Sequence, residues 1–276
     1  MNLLTRRTFL LGSGLALASY LVYDVTAIKV VRYMVPVRNL PAAFNGFTIL
    51  HLSDLHQKEF GRNQTRLLDL INRQQFDMVA VTGDLVNKLW PDVEPALMML
   101  RGLAPKPVFF VNGNNEYGAL YRHRYSIAQS LGDVGVAILE NRAVPLQRNG
   151  RHIWIAGVDS PPNLKDRLDR ALAGVVDGAP IILLAHSPNI FQSVSAAGVD
   201  LLLVGHTHGG QIRIPWIGAI WAPQPQRGLF PQWDYGEFHE GKTTMIINGG
   251  LGESLIPIRI GLPPEIGLVT LTRMYV

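Results

Sequence analysis

Short apolar runs alternate with amphipathic segments along most of the chain. Runs with the length and branching of strands predict strands at 28–36, 47–52, 76–82, 108–111, 136–139, 143–148, 152–157, 181–185 and 199–204. Helices are predicted at 62–74, 91–103, 119–132 and 163–172. Strands that alternate with helices predict an α/β layered fold. Because no Pro- or Gly-rich linker divides residues 28–276, we expect them to form one domain.

The N-terminal segment has a different pattern. The pair Arg6-Arg7 precedes an uncharged apolar run from Phe9 to Tyr23, an arrangement that resembles a twin-arginine export signal. A helix of this length spans about 22 Å, short of the roughly 30 Å hydrocarbon core of a bilayer. Ala16-Leu17-Ala18 offers a cleavage site, but the run continues past it, so a retained anchor or a buried helix stays open. We predict that residues 1–27 are a twin-arginine-like signal or membrane anchor.

The composition limits the partners and the metal ligands that the chain can have. The chain has 276 residues, of which 47% are hydrophobic, enough for one large domain or two small ones. A net charge of +4 without a long basic stripe argues against nucleic acid as a partner and against a nuclease. The chain has no Cys, which excludes disulfides and thiolate metal ligands. Any metal must therefore be held by His, carboxylate or amide groups, a set that suits Mn, Fe or Zn.

Polar residues follow the ends of the predicted strands. They are Asp54, His56, Asp84, Asn114, His186, His206 and His208. Binding sites in open α/β sheets form beyond the carboxyl ends of strands, so these side chains can converge. Seven ligands are too many for one ion but suit two divalent ions, bridged by a shared carboxylate and about 3.5–4 Å apart. If the backbone is extended, His206 and His208 point to the same side, and both rings can face one point.

The ordered set of motifs resembles the calcineurin-like metallophosphoesterase superfamily. That pattern is D-x-H, G-D, G-N-H-[DE], H and G-H-x-H, in this order. The chain has Asp54-x-His56, Gly83-Asp84, Gly113-Asn114-Asn115-Glu116, His186 and Gly205-His206-x-His208. It is more closely similar to bacterial phosphodiesterases of the YkuE/YaeI type, through Leu52–His56, Gly205–Ile212, Gly250–Gly252 and Pro263–Glu265.

This resemblance implies a fold, a ligand set and a reaction. The implied fold is a four-layer α/β architecture, a β-sandwich flanked by helices. One metal would be held by Asp54, His56, Asp84 and His208, and the other by Asp84, Asn114, His186 and His206. The implied reaction is hydrolysis of a phosphate ester or anhydride by a water that the two metals activate.

One position departs from the family pattern. Asn115 stands where the motif usually has a His that stabilises the transition state or protonates the leaving oxygen. An amide can donate a hydrogen bond to a developing charge, so Asn115 is the candidate catalytic residue, but it cannot deliver a proton near pH 7. We therefore expect a good leaving group or acid help from elsewhere. Glu116 is expected to orient the loop or to act only as an N-terminal helix carboxylate.

The segments 214–223 and 229–233 form an apolar loop that contains three Trp. It either packs on its own domain or touches acyl chains or the bilayer interface, where Trp is favoured. Arg213 is a candidate substrate contact; Arg227 and Arg259 are others, and surface solvation is the alternative for each.

These observations predict a dimetal hydrolase of phosphoric esters. Its substrate would be a phosphodiester or pyrophosphate, possibly lipid-linked, of a lipid or cell-envelope molecule, and the protein would be membrane-associated and exported. The first alternative is an enzyme like the UDP-2,3-diacylglucosamine pyrophosphatase of lipid A biosynthesis, on the cytoplasmic face of the membrane. The second is a non-catalytic metal-binding scaffold.

Overall fold

A computed structural model describes residues 12–15, 19, 23–103, 105–214, 216–219, 222, 231–254 and 258–274. The strands are β1 (Lys29–Val37), β2 (Thr48–Leu52), β3 (Met78–Val81), β4 (Val108–Phe110), β5 (Val136–Ile138), β6 (Arg142–Arg148), β7 (Arg151–Gly157), β8 (Ile181–Leu184), β9 (Leu201–Val204), β10 (Arg213–Ile214), β11 (Gly218–Ala219), β12 (Gly236–Glu240), β13 (Thr243–Ile247) and β14 (Glu265–Arg273). The α-helices are α1 (Thr65–Asn72), α2 (Glu94–Arg101), α3 (Asn114–His123), α4 (Ala128–Asp133), α5 (Leu168–Leu172) and α6 (Phe191–Ala196).

Twelve of the described strands form two sheets with parallel centres. The first has the order β1-β14-β2-β3-β4-β5, in which only the β14–β2 pair is antiparallel. The second has the order β12-β13-β9-β8-β7-β6, with antiparallel pairs at its two ends. Parallel strands place their carboxyl ends at one edge of a sheet, so the loops after β2, β3 and β4 emerge together, as do those after β8 and β9.

The apolar residues lie in three layers. One cluster fills the space between the sheets, where Ile49 and Phe109 of the first sheet belong to the same buried group as Ile155 and Leu203 of the second. A second cluster joins the outer face of the first sheet to α1 and α2, and a third joins the outer face of the second sheet to α5 and α6. The predicted four-layer sandwich flanked by helices is therefore confirmed.

The single helix predicted at 119–132 is wrong. Two helices occupy this region, because the backbone turns left-handed at Arg124, the residue that ends α3. The Tyr125 hydroxyl then accepts a hydrogen bond from the Val93 N–H, which fixes the chain between the helices. α3 also begins earlier than predicted, at Asn114, where the Glu116 carboxylate accepts the Gly113 N–H and forms a capping interaction.

The predicted signal or anchor lies mostly outside the described residues, which include Gly12 to Leu15, Ser19 and a helical turn at 23–26. Arg6-Arg7 is not among them, and neither are residues 215, 220, 221 and 223–230 of the Trp-rich loop, which include Trp221 and Arg227. Within the part of the chain that is described, no helix has the length and apolar character needed to cross a membrane.

Candidate metal centre

The seven residues predicted as ligands come together at the carboxyl ends of the strands. Asp54 and His56 follow β2, Asp84 follows β3, and Asn114 opens α3 after β4. From the second sheet, His186 follows β8, and His206 and His208 follow β9. Asn114 is partly exposed, and the other six are buried. The site therefore lies where the edges of the two sheets meet.

One group consists of Asp54, His56 and His208. The His56 Nε2 and His208 Nε2 atoms are 3.2 Å apart. Asp54 Oδ1 lies 3.9 Å from His56 Nε2 and 3.5 Å from His208 Nε2. One ligand atom from each residue thus points to a common space, which is the arrangement of a metal site.

The other group is built around His186. Its Nε2 atom lies 3.4 Å from Asp84 Oδ2, 3.1 Å from Asn114 Oδ1 and 3.0 Å from His206 Nδ1. The same Asp84 oxygen is 3.7 Å from His56 Nε2 of the first group. Asp84 therefore stands between the two groups, in the position that a bridging carboxylate requires.

His206 and His208 do not face one point, as extended backbone would allow, but lie in the two separate groups that the family resemblance implies. His206 belongs with Asp84 and His186, whereas His208 belongs with Asp54 and His56. The residues are not in extended backbone, since their φ angles are 71° and 51°. The turn after β9 therefore sends the two rings into different groups.

Left-handed backbone is concentrated at the site. Asp54, His56 and Asp84 have φ angles of 51°, 48° and 53°, and His206 and His208 are also positive. This conformation is uncommon for residues other than Gly, and strain of this kind collects at functional sites, where the surrounding structure maintains it. The left-handed residues thereby keep their side chains buried at the site.

Hydrogen bonds on the far side of two rings leave ligand lone pairs facing inward. The His186 Nδ1–H donates to the Thr82 carbonyl at 2.7 Å, and the His56 Nδ1–H donates to Asn87 Oδ1 at 3.2 Å. The Nε2 atom of each ring then faces the Asp84 carboxylate. Asp54 Oδ1 is buried without a hydrogen-bond donor among the described residues. A cation placed among these nitrogen and oxygen atoms would be stabilised by all of them, so this donor set fits a divalent metal.

The shifted pKa values of His186 and Asp84 show that the site favours positive charge. Burial opposes protonation of His186, but Asp84 and Asp54 overcome it and raise the pKa of His186 to about 10. Burial would raise the pKa of Asp84, yet His186 and the Asn115 N–H hold it below its usual range. Two carboxylates and four imidazoles in this small volume stabilise a cation strongly.

A buried chain of hydrogen bonds supports Asp54, and the sequence reasoning missed it. His51 Nε2–H donates to the Thr82 hydroxyl at 3.0 Å, Thr82 donates to Ser53 at 2.8 Å, and Ser53 donates to Asp54 Oδ2 at 2.5 Å. The His206 N–H also donates to this oxygen at 3.0 Å. These donors occupy Oδ2 and leave Oδ1 for the metal group. The sequence shows that Ser53 directly precedes Asp54. It does not show that Ser53 contacts Thr82, because that contact depends on the packing of β2 against β3.

Glu116 holds two loops of the site together, in accord with the expectation that it orients the loop. Its carboxylate accepts the N–H groups of Gly113, Asp84, Leu85 and Val86. Burial and the Asp84 charge raise the pKa of Glu116 to about 7, against the effect of these N–H donors. Its role extends beyond helix capping, because three of the donors come from the loop after β3.

Asn115 is held by the same loop. Its Nδ2 group donates to Asp84 Oδ2, and its Oδ1 accepts the Lys88 N–H at 3.2 Å. Its backbone N–H donates to Asp84 Oδ1 at 2.8 Å. In this structure the amide therefore supports the carboxylate between the two groups. A role in stabilising substrate charge stays a prediction.

The candidate phosphate contacts have other partners here. Arg213 Nη1 donates to Asp234 Oδ2 at 2.7 Å and to the Gly209 carbonyl at 2.9 Å. Neither expectation for Arg259 is correct: it is completely buried, and its guanidinium binds backbone carbonyls, including those of Gly249 and Gly250. Arg259 thereby fixes the loop that packs behind the metal site.

Comparison with known proteins identifies the family. A family model described as calcineurin-like phosphoesterase matches residues 47–210, a region that contains all seven candidate ligands. The chain belongs to the calcineurin-like phosphoesterase family. As a member of that family it is a metal-dependent hydrolase of phosphoric esters, which the two ligand groups support.

Bacterial relatives of this calcineurin-like phosphoesterase cover most of the chain. The protein YpbG of Bacillus subtilis (strain 168) is 32% identical over 233 residues, which are 81% of this chain and 80% of the relative. The metallophosphoesterase YkuE of the same organism is 29% identical over 268 residues, 94% of this chain and 90% of the relative. A Danio rerio protein, named a transmembrane protein with a metallophosphoesterase domain, is 28% identical over 260 residues, 89% of this chain and 57% of the relative. The predicted bacterial subgroup is confirmed.

Proposed function

We propose that the protein hydrolyses a phosphodiester or pyrophosphate bond with two divalent metal ions. One ion would be held by Asp54, His56, Asp84 and His208, and the other by Asp84, Asn114, His186 and His206. The observation that carries this proposal is the position of Asp84 Oδ2, 3.7 Å from His56 Nε2 and 3.4 Å from His186 Nε2. A single carboxylate at these distances from both groups suits a shared ligand.

The chain's own residues prepare this site before substrate binds. When bound, the two ions polarise phosphoryl oxygens and lower the pKa of a water. Asn115 and Glu116 hold the Asp84 loop in its left-handed conformation, and Ser53 fixes the Asp54 carboxylate. Such preorganisation lowers the reorganisation needed when charge develops on the substrate.

Asn115 limits which leaving groups the enzyme can release. An amide cannot supply a proton near neutral pH, so the leaving oxygen must depart as a stable anion or take a proton from elsewhere. A nucleotide or pyrophosphate leaving group meets this condition. This chemistry supports a substrate that carries a phosphoanhydride or an activated diester, and it keeps a pyrophosphatase of lipid-linked nucleotides as the second candidate.

Hydrolysis of bis(p-nitrophenyl) phosphate by the manganese-loaded full chain tests the proposal. The Asp84→Asn variant is expected to lose activity, because it removes the charge between the two groups. Asp69→Asn, an exposed substitution in α1, is the matched control and should keep wild-type activity. Retained activity in Asp84→Asn would contradict the proposal. A metal-loaded wild type without turnover would count against a generic phosphodiesterase and leave either a narrow lipid-linked substrate or the scaffold alternative.

A further inference from the structure

Exposed apolar side chains lie on one side of the metal site, in the loop after β3. Leu89 and Trp90 are 50% and 82% exposed. This loop is tied to the site, because the Lys88 N–H donates to Asn115. Lys88 also packs on Gly118 of α3, whose exposed Tyr121 extends the apolar surface. The first surface therefore combines an aliphatic residue, two aromatic residues and a lysine.

A second exposed apolar surface follows His208. Its members are Ile212, Ile214, Trp216, Ile217 and Ile258. Trp216 is fully exposed, and Ile217 is 60% exposed. Arg213 fixes this surface to the site through its hydrogen bond to the Gly209 carbonyl, one residue after His208. The two surfaces thus belong to loops that leave the same edge of the sandwich as the candidate ligands.

The N-terminal apolar run joins the domain beside this second surface. The helical turn at 23–26 is held by the Gly261 N–H, which donates to Asp24 Oδ2 at 2.6 Å, and by Lys58, which donates to the Val25 carbonyl at 2.7 Å. Gly261 follows Ile260, which pairs with Ile212 in an isolated bridge. This turn, which directly follows the apolar run in sequence, is therefore held at the rim where the exposed isoleucines lie.

We propose that these two surfaces rest on the interface of a lipid bilayer. Trp and Tyr are favoured at this interface, and aliphatic side chains enter its apolar part. The exposed Arg122 and Arg124 beside Tyr121 add attraction to anionic headgroups.

Docking in this way turns the metal site toward the headgroup region. If the proposed function holds, its substrates are phosphate esters or anhydrides presented at the membrane surface. Binding itself needs neither metal nor turnover. It can therefore be tested separately from hydrolysis.

The chain has no Cys, so a single introduced thiol can carry an environment-sensitive fluorophore. We would label Leu89→Cys and Ile217→Cys in the full chain, one in each surface. Val176→Cys, which replaces a side chain 86% exposed before the amino end of β8, is the matched control. The probe is a vesicle of phosphatidylcholine and phosphatidylglycerol.

The expected result is a blue shift and a rise in emission at 89 and 217, with no change at 176. Flotation of the chain with vesicles but no change at 89 and 217 would overturn the proposal, because the N-terminal run would then bind alone. An equal response at all three positions would also overturn it. A response to concentrated unlabelled protein instead of vesicles would assign these surfaces to contacts between copies of the chain.

Discussion

Replacing Ser53 by Ala tests whether the buried hydrogen-bond chain prepares the metal site. The Ser53 hydroxyl donates a hydrogen bond to Asp54 Oδ2 at 2.5 Å and accepts one from the Thr82 hydroxyl at 2.8 Å. Removal of the hydroxyl therefore breaks both hydrogen bonds. Among the donors that the structure describes, Asp54 Oδ2 then keeps the His206 N–H alone, so its carboxylate is less restricted in rotation. A hydrogen bond to an ionised group contributes about 1.5–3 kcal/mol, and supporting bonds of this kind change metal affinity by about 10–100-fold. We expect a loss of manganese affinity in that range.

Ser187→Ala is the matched control. Ser187 is also buried and follows a candidate ligand, His186, but its hydroxyl has no hydrogen-bond partner in the part of the chain that the structure describes. Isothermal titration of chelator-treated protein with manganese compares both variants with the wild type. The reasoning is refuted if Ser53→Ala binds as tightly as the wild type, or if the two variants weaken binding equally.

Three further predictions concern the stability of the fold, its dependence on pH and the space beside the metal site. Glu116→Gln should lower the unfolding free energy by about 2–4 kcal/mol in thermal or urea melts, because an amide NH2 replaces one of the two oxygens and leaves two buried N–H groups without an acceptor; an unchanged melt would contradict this. Gly205→Ala should abolish metal binding, measured by calorimetry, since its Cβ would lie 2.3 Å from Asp54 Oδ2, whereas Gly132→Ala meets nothing within 4 Å and should bind normally. Burial lowers the pKa of His51 to about 3, so the unfolded chain protonates first and stability falls as the pH drops below about 6.5, by about 1.4 kcal/mol per unit. Urea melts at pH 7 and 5 should show a smaller decline for His51→Gln than for the wild type.

The strand pattern predicted much of the fold and the composition of the site. Strands such as β2, β3 and β9 are short buried runs whose ends are marked by polar residues, so both their place and their chemistry are local properties of the sequence. The sandwich itself came from the family resemblance. Periodicity cannot show that Ile49 and Ile155, which are distant in sequence, share one core.

Other features depend on backbone conformation and on long-range packing. The separation of His206 and His208 follows from their positive φ angles, and a His in the sequence does not predict a positive φ angle. Arg259 looked like a surface cation, but four buried carbonyls, supplied by residues 249, 250, 252 and 262, surround it only after the chain has folded. The break in the predicted helix at Arg124 has the same origin, since Tyr125 finds its partner in the segment before α2.

An anomalous difference map from crystals soaked in manganese tests the two-metal claim most directly. The account predicts two peaks about 3.5–4 Å apart. One peak should lie among Asp54, His56 and His208, the other should lie beside His186 and His206, and Asp84 should contact both. A single peak, or two peaks of which only one touches Asp84, would contradict the shared-carboxylate centre.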